Sequence, residues 1–275
     1  MAKPHLDGLS HWRVPEGGTL HLNDYATDAR PGSTGDRTRD EARLAELSAR
    51  LGELQARLYA SKERALLLVL QGMDAAGKDG VVRRVFSSVS PLGVRAHAFG
   101  VPVGSETQHD FLWRIHSQAP ARGEITVFNR SHYEDVIATR VRKLVPLAQV
   151  RRRHVHLRAF EELLADEGTA IIKCFLHISR EEQGERLRER LREPTKRWKL
   201  QASDLSDRAL WKDYRAAYEE TLPATSSDTA PWYVVPADSR FSRDLMVSEL
   251  LVAHLEAMDL HYPPSALPAS THIPD

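Results

Sequence analysis

The sequence has few of the features that mark secreted or membrane proteins. It contains one cysteine, Cys174, so an internal disulfide is impossible and a buried core thiol is the expectation. No apolar run approaches the length needed to cross a bilayer. Residues 1–10 lack the apolar centre of a signal peptide. These absences predict a cytoplasmic protein that has no membrane partner.

The chain also lacks an excess of charge of either sign. Lys plus Arg and Asp plus Glu each number 38, so the formal net charge is zero. Non-specific binding of nucleic acid needs a continuous basic surface, and a nucleic-acid partner is therefore not expected. Any polyanion site must come from local clusters of cations. The 275 residues, of which 41% are hydrophobic, suffice for one globular α/β domain.

Apolar runs alternate with helical patterns through the middle of the chain, which predicts a three-layer α/β/α sandwich with a central parallel sheet. The predicted strands are 65–70, 94–99, 125–128, 170–178 and 232–235. The predicted helices are 39–60, 78–88, 105–117, 132–143, 147–165, 180–192, 206–221 and 242–257. Residues 1–36 are expected to form an irregular arm, 37–262 one domain and 263–275 a loose tail.

The first predicted helix carries a narrow apolar seam. Its leucines recur at alternating steps of three and four residues, at Leu44, Leu47, Leu51, Leu54 and Leu58. The seam is too short to establish a coiled coil. Packing on the sheet is the favoured interpretation, and contact with a second copy of the chain is the alternative.

The most informative stretch, residues 71–80, follows the first predicted strand and reads Q-G-M-D-A-A-G-K-D-G. The spacing of Gly72, Gly77 and Lys78 is that of a phosphate-binding loop, in which backbone N–H groups and a helix N-terminus point at one anion. Lys78 adds a full positive charge at that point. A bare strand–turn–helix corner would explain the glycines alone, but the strand before the motif and the helix after it favour phosphate binding.

Two acids depart from the usual pattern of such loops. Asp79 stands where Ser or Thr commonly supplies a hydroxyl to Mg²⁺, and Asp74 lies inside the loop. An ordinary nucleoside-monophosphate kinase that uses ATP would have the hydroxyl. Asp79 therefore argues against that class, which remains an alternative.

A second polar cluster follows the third predicted strand. Asn129 and Arg130 lie at its carboxyl end, where open α/β sheets bind ligands. Glu134 and Asp135 come next, in the first turn of a helix. They are placed to hold Mg²⁺, one directly and one through water, or simply to stabilise the helix dipole. Adjacent helical residues point about 100° apart, so both can face one site only in part.

Basic residues are concentrated between positions 180 and 199. Glutamates three or four residues away pair with several of them, as in a solvated helix. Such a stretch after the fourth strand is also where nucleotide kinases carry a lid whose arginines fold over phosphates. Residues 151–154 form a smaller basic cluster, either a solvated helix start or a docking rim. The two clusters leave open a phosphate- or nucleic-acid-binding module without catalysis.

With these motifs in hand, the chain resembles the family-2 polyphosphate kinases over most of its length. The matching segments are G-M-D-A-A-G-K-D-G at 72–80, D-F-L-W-R-I-H at 110–116, F-N-R-S-H-Y-E-D-V at 128–136 and A-P-W-Y-V-V-P-A at 230–237. The combination of the first and third segments is specific. The acid after the loop lysine is expected in this family, so the departure at Asp79 becomes a match.

The resemblance implies a thymidylate-kinase-like P-loop fold with a helical lid at about 180–215. It implies reversible, Mg²⁺-dependent phosphoryl transfer between inorganic polyphosphate and nucleotides, with Mn²⁺ as a substitute metal. The implied catalytic residues are Asp74, Lys78, Arg130 and Asp135, and the implied metal ligands are Asp74, Glu134 and Asp135. The implied phosphate-binding residues are Gly72, Ala75, Ala76, Gly77, Lys78, Asp79, Gly80, Arg130, Arg186, Arg190 and Arg197. The implied nucleotide-binding residues are Asn129, Arg130 and Glu134.

Glu134 resembles the family's third class, which phosphorylates both AMP and ADP and so makes ATP. Transfer to ADP alone is the alternative within the family, and GMP and GDP are further candidate acceptors. Relatives of this kind assemble as homo-oligomers, and a dimer or tetramer is the expectation.

Overall fold

The structure is a computed structural model that describes residues 4–6, 8–268 and 270–273. Residues 1–3 and 7 of the predicted arm, and 269, 274 and 275 of the predicted tail, lie outside the described residues. The strands are β1 Ala65–Gln71, β2 Val94–Ala98, β3 Ile125–Asn129, β4 Thr169–His177 and β5 Trp232–Pro236. The helices are α1 Arg37–Ser61, α2 Lys78–Val85, α3 Trp113–His116, α4 Glu134–Val141, α5 Leu147–Asp166, α6 Arg180–Arg192, α7 Ala202–Ala209, α8 Trp211–Thr225 and α9 Arg240–Glu256.

The five strands form one parallel sheet in the order β2-β3-β1-β4-β5. Strand β1 is central and every residue of it is buried. Its side chains alternate between the two faces, so Leu66, Leu68 and Leu70 enter one core while Leu67 and Val69 enter the other. The predicted three-layer sandwich with a parallel sheet is confirmed.

Helices cover both faces of the sheet. Helices α1, α2 and α9 supply one core, and α4, α5 and α8 supply the other. The seam of α1 is used inside the domain, because Leu47, Leu51, Leu54 and Leu58 are buried in the first core, where α1 packs against α9. Within the described part of the chain, no helix is both long enough and apolar enough to span a membrane.

Two predicted helices are wrong in their extent. The segment 105–117 forms a 3₁₀ turn at Gly104–Gln108 and the short α3. The Asp110 carboxylate accepts a hydrogen bond from the Leu112 N–H, which starts a new turn instead of continuing the first. The segment 206–221 forms α7 and α8, which meet at Leu210. Helix α7 begins earlier than predicted because Asp204 and Gln201 form a capping box.

The amino-terminal segment runs beside the edge of the sheet. Val14 donates its N–H to the Trp232 carbonyl at 2.9 Å, and Arg13 forms an isolated antiparallel bridge with Tyr233. Leu9, Trp12 and Leu22 bury their side chains in the two cores. The segment therefore covers the open edge of β5, which would otherwise expose unpaired backbone groups.

A buried ionic network joins the sheet to the helices of the second core. Lys173 is completely buried on β4, and its Nζ lies 2.5 Å from Glu161 Oε2 of α5 and 2.6 Å from the Thr225 carbonyl. The Tyr133 hydroxyl donates to Glu161 Oε1 at 2.8 Å. Since Tyr133 directly precedes Glu134, this network fixes the start of α4 and with it the position of the acidic pair.

We expect Lys173→Met to destabilise the protein by about 3–5 kcal/mol, because it leaves the carboxylate of Glu161 buried without a counter-ion. Urea denaturation followed by circular dichroism gives the free energy of unfolding. The double variant Lys173→Met, Glu161→Gln should recover a large part of that loss, since no buried charge remains and the amide still accepts from Tyr133.

Arg50→Met is the control for this comparison. It removes an exposed pair in which Arg50 Nε lies 2.8 Å from Glu256 Oε1, and such pairs are worth about 1 kcal/mol or less. A double variant that is no more stable than Lys173→Met alone would contradict the charge argument.

Candidate active site

The loop between β1 and α2 has the backbone form that an anion site requires. Gly72, Ala75 and Gly77 all adopt positive φ, at 148°, 61° and 105°. A Cβ on Gly72 would meet the Leu176 carbonyl oxygen at 2.7 Å, so the chain must have glycine there. Ala75 holds a left-handed conformation without that freedom, at a cost of about 1–2 kcal/mol. The surrounding structure therefore holds the loop in this conformation.

Lys78 lies across the mouth of the loop. Its Nζ donates to the Gly72 carbonyl at 2.7 Å and to the Met73 carbonyl at 3.2 Å. The side chain is buried, and burial lowers the pKa of the ammonium group, with the positive charge of Arg130 acting in the same direction. The ammonium group is therefore poorly solvated and is placed to exchange carbonyl oxygens for phosphate oxygens.

Arg130 joins the end of β3 to the loop. Its Nη2 lies 2.7 Å from Asp74 Oδ1, and its own φ is 63°. Burial alone would lower the pKa of Arg130, but the carboxylates of Asp74 and Glu134 outweigh it and raise that pKa. The two motifs of the sequence thus meet at a salt bridge, which joins the carboxyl end of β3 to the loop after β1.

The two adjacent acids of α4 face different surroundings. Burial raises the pKa of Glu134, and Arg130 and Lys78 oppose that rise, which places Glu134 on the side of the loop. Asp135 instead lies 3.3 Å from Arg114 Nη2. Burial raises the pKa of Asp135 as well, and Arg114 opposes it. Helical geometry therefore separates two residues that the sequence places side by side.

The predicted metal ligands are not gathered into one cluster. Among residues 4–6, 8–268 and 270–273, no group of three His, Cys, Asp or Glu side chains is placed to hold a metal ion. Asp74 and Glu134 both border the loop, whereas Asp135 is engaged with Arg114. Mg²⁺ commonly takes one or two protein carboxylates and completes its shell with phosphates and water. The pair Asp74 and Glu134 fits that mode.

Asp204 is an acid near this site that the sequence analysis missed. Burial raises the pKa of its carboxyl group, and the negative charge of Asp74 raises it further. Asp204 belongs to α7, in the predicted lid, and Arg190 Nη1 lies 3.8 Å from its Oδ2. Residues 200–209 contain two aspartates and one arginine, and no local pattern distinguishes Asp204 from Asp207.

Asp79 connects three elements. Its Oδ1 accepts from Asn129 Nδ2 at 2.8 Å, and its Oδ2 accepts from Lys199 Nζ at 3.0 Å. Burial alone would raise the pKa of Asp79, but these hydrogen bonds outweigh it and lower that pKa. The carboxylate thus links the start of α2 to the end of β3 and to the lid. Lys199 was not among the predicted site residues.

The three lid arginines predicted to bind phosphate have different surroundings. Arg186 is buried behind the loop, where its Nη1 donates to the carbonyls of Ala75 and Ala76 at 3.1 and 3.0 Å. Arg190 borders Asp204. Arg197 is exposed and its Nε donates to the Leu191 carbonyl at 3.1 Å. Arg186 therefore donates to the backbone of the loop itself, whereas Arg190 and Arg197 lie on the lid side.

The sequence of the chain matches the profile of the Polyphosphate kinase 2 (PPK2) family over residues 34–263. The chain belongs to the polyphosphate kinase 2 family. The family resemblance drawn from the motifs is confirmed. Among members of known structure, polyphosphate kinase 2 from Arthrobacter aurescens TC1 superposes with a TM-score of 0.91 at 39% identity, covering 98% of this chain and 97% of that one.

Two curated members of the PPK2 family are similar over nearly their whole length. The AMP/ADP-polyphosphate phosphotransferase of Meiothermus ruber is 48% identical over 255 residues, covering 93% of this chain and 96% of the relative. The ADP-polyphosphate phosphotransferase of Rhodopseudomonas palustris is 41% identical over 264 residues, covering 92% and 91%. The match therefore includes the loop, the acidic pair and the lid.

A cavity of about 350 Å³ adjoins the loop of this PPK2 chain at Met73. His177 lies in its wall, at the end of β4, and its Nε2 contacts the Leu22 carbonyl at 3.1 Å. Burial, with Arg215 acting in the same direction, lowers the pKa of His177 to about 4. Burial likewise lowers the pKa of His254 on α9 to about 4. Both imidazoles are neutral in the folded protein near pH 7.

We expect the protein to lose stability as the pH falls from about 6.5 towards 4. In that window the unfolded chain protonates these histidines at the ordinary pKa of 6.5, whereas the folded chain does not. The unfolded state therefore binds more protons, and each histidine costs up to about 3 kcal/mol by pH 4. Urea denaturation at a series of pH values measures the slope.

His177→Gln should flatten this slope, because glutamine still donates to the Leu22 carbonyl but does not titrate. His21→Gln, at an exposed position, is the matched control and should leave the slope unchanged. Equal slopes in the wild type and in His177→Gln would show that His177 does not carry the effect.

Proposed function

We propose that this protein transfers the terminal phosphoryl group of inorganic polyphosphate to AMP and ADP, and that the transfer is reversible. The observation that carries the proposal is the meeting of Lys78, Asp74 and Arg130 at the mouth of the phosphate loop in a PPK2 chain. The name of the relative that is 48% identical, AMP/ADP-polyphosphate phosphotransferase, supports the same donor and acceptors.

The chemistry requires no covalent intermediate with the protein. An oxygen of the acceptor's terminal phosphate attacks the terminal phosphorus of polyphosphate. The bond from that phosphorus to the bridging oxygen breaks, and the electron pair leaves with a polyphosphate one unit shorter. Catalysis then depends on position and on stabilising negative charge. In this proposal Lys78 and the backbone N–H groups of the loop hold the transferred group, and Arg130 follows the phosphate chain at the sheet edge.

The carboxylates assigned to the metal are Asp74 and Glu134, which border the loop. Mg²⁺, or Mn²⁺ in its place, would neutralise phosphate charge when bound there. Lys78 and Arg130 provide the remaining positive charge. The contact between Asp135 and Arg114 favours a supporting role for Asp135, which orients α4 and so positions Glu134.

The range of acceptors is the finer part of the proposal. A relative 41% identical is named for ADP alone, and one 34% identical is named as a putative GDP-polyphosphate phosphotransferase. We propose AMP and ADP as acceptors, with guanine nucleotides as weaker ones. An ATP-dependent monophosphate kinase is disfavoured because Asp79 is engaged by Asn129 and Lys199 where that class presents a hydroxyl. A cytoplasmic homodimer or homotetramer remains our expectation for the assembled protein.

The deciding experiment supplies Mg²⁺, polyphosphate and AMP without ATP, and follows nucleotides by chromatography. We expect ADP to appear first and ATP after it. A parallel reaction supplies ADP in place of AMP, and formation of ATP there with no reaction of AMP would restrict the protein to ADP. A third reaction supplies ATP and AMP without polyphosphate. Phosphorylation of AMP in that reaction, with no reaction of polyphosphate in the other two, would replace the proposal with a nucleotide kinase.

We expect Asp74→Asn to lower kcat by about 100-fold or more, because it removes a charged group that is already in place for the transition state. The concentration of Mg²⁺ that gives half-maximal rate should rise in parallel, since the amide is a weaker metal ligand. Initial rates of ATP formation from ADP, measured over a range of Mg²⁺ concentrations, test both effects.

Asp213→Asn, on the exposed face of α8, is the matched control and should be as active as the wild type. Circular dichroism and a thermal melt confirm that Asp74→Asn is folded. Wild-type turnover with an unchanged Mg²⁺ requirement in that variant would remove Asp74 from the metal site.

A further inference from the structure

The back of the phosphate loop is held by two buried arginines from different helices. Arg186 of α6 donates from Nη1 to the Ala75 and Ala76 carbonyls, and Arg243 of α9 donates from Nη1 to the Ala76 carbonyl at 3.2 Å. Arg243 is completely buried and Arg186 almost so. Neither guanidinium is placed at the mouth of the loop, where Lys78 and Arg130 lie.

The orientation of these carbonyls determines which way the loop's N–H groups point. A trans peptide directs its C=O and N–H to opposite sides. Holding the Ala76 carbonyl outward therefore turns the Gly77 N–H into the loop. Holding the Ala75 carbonyl outward turns the Ala76 N–H inward, where it donates to the Met73 carbonyl at 3.1 Å and closes the turn. Both arginines thus act, through the Ala76 carbonyl, on the peptide group whose Gly77 N–H would bind phosphate.

Each arginine is itself held by an acid. Arg243 donates from Nε and Nη2 to Asp244 Oδ1 at 2.9 and 2.7 Å, and Arg84 contacts the other oxygen of Asp244. Arg186 Nε donates to Glu182 Oε1 at 2.8 Å. Charge-assisted hydrogen bonds of this kind have defined geometry. The two ion pairs keep the guanidinium groups in place and limit the net charge added behind the loop.

The close approach of Arg243 to the loop also explains why residue 77 is a glycine. A Cβ on Gly77 would lie 1.9 Å from Arg243 Nη1. The backbone conformation at this position already favours glycine, because φ is 105°. The guanidinium group adds a second, independent reason, because it occupies the space that a side chain would need.

We propose that Arg243 and Arg186 are positioning residues of the phosphate loop, acting on it from behind through the Ala75 and Ala76 carbonyls. This inference replaces direct phosphate binding by Arg186 and adds Arg243, which no sequence motif identified. Arg186 also donates from Nη2 to the Ala237 carbonyl at 2.6 Å. Since α6 is the first helix of the lid, Arg186 links the lid, the loop and the segment after β5. The proposal rests on the proposed function, in which the loop holds the transferred phosphoryl group.

The test compares Arg243→Met, Arg243→Lys and Arg84→Met in the full-length enzyme with polyphosphate and ADP. We expect Arg243→Met to lower kcat by about 100-fold, in the range seen when a preorganised donor set is disturbed. Arg243→Lys should recover part of that loss, because an ammonium group can still donate to the Ala76 carbonyl. Arg84→Met, the matched control, removes the other partner of Asp244 and should stay within about threefold of the wild type.

Thermal melts separate this role from a merely structural one. Arg243→Met should melt at a lower temperature than Arg84→Met, because Arg243 is the buried partner of Asp244 and Arg84 is part-exposed. Rates are therefore compared at a temperature at which the melts show both variants to be folded. Equal kcat values in these two variants, or no recovery in Arg243→Lys, would overturn the proposal. Calorimetric titration with inorganic pyrophosphate is a readout that does not need turnover, so it distinguishes failure of this proposal from failure of the proposed function. Pyrophosphate affinity should fall about tenfold in Arg243→Met and should be unchanged in Arg84→Met.

The contact between Arg243 and Gly77 provides a second test, which measures stability and needs no enzyme activity. Gly77→Ala should be more destabilising in the wild type than in Arg243→Met, because the steric clash is lost with the guanidinium group while the backbone strain remains. Additive effects of the two substitutions on the urea midpoint would show that the contact does not exist and would overturn the proposal.

Discussion

A loop that gathers N–H groups around an anion must turn the opposite ends of its peptide groups outward. In this protein the outward side faces the domain interior, where an unpaired carbonyl is costly. The arginines behind the loop satisfy the Ala75 and Ala76 carbonyls. Helices α6 and α9 each bring one guanidinium group to this part of the backbone, Arg186 to both carbonyls and Arg243 to that of Ala76.

The same constraint explains how a chain with no net charge can form a polyanion site. The cations at the loop are distributed over the two sides of one backbone segment, and most of them contact an acid. Asp74 pairs with Arg130 at the mouth, and Asp244 pairs with Arg243 behind it. Local pairing offsets the charge of these arginines, and Lys78 and the helix N-terminus contribute positive charge at the mouth.

Two further features depend on packing far from the loop. The buried network of Lys173, Glu161 and Tyr133 fixes the first turn of α4. It thereby decides that Glu134 faces the loop and that Asp135 faces Arg114. The carboxylate of Asp79 performs a similar task at the entrance, where it holds Asn129 and Lys199 together. The geometry of the proposed site therefore depends on polar contacts between elements that are distant in sequence.

The sequence alone determined the layer architecture, the position of the phosphate loop and the family. Strand runs that are buried on both faces are apolar throughout, and the spacing of Gly72, Gly77 and Lys78 is a local property of the chain. Only the tertiary structure decided which charges meet. Arg186 belongs to a basic segment whose helical pattern is the same whether its residues face phosphate, solvent or backbone, and Arg243 lies in an ordinary amphipathic helix. Partners separated by more than a hundred residues leave no periodic signal, because their contact depends on how the layers pack and not on local spacing.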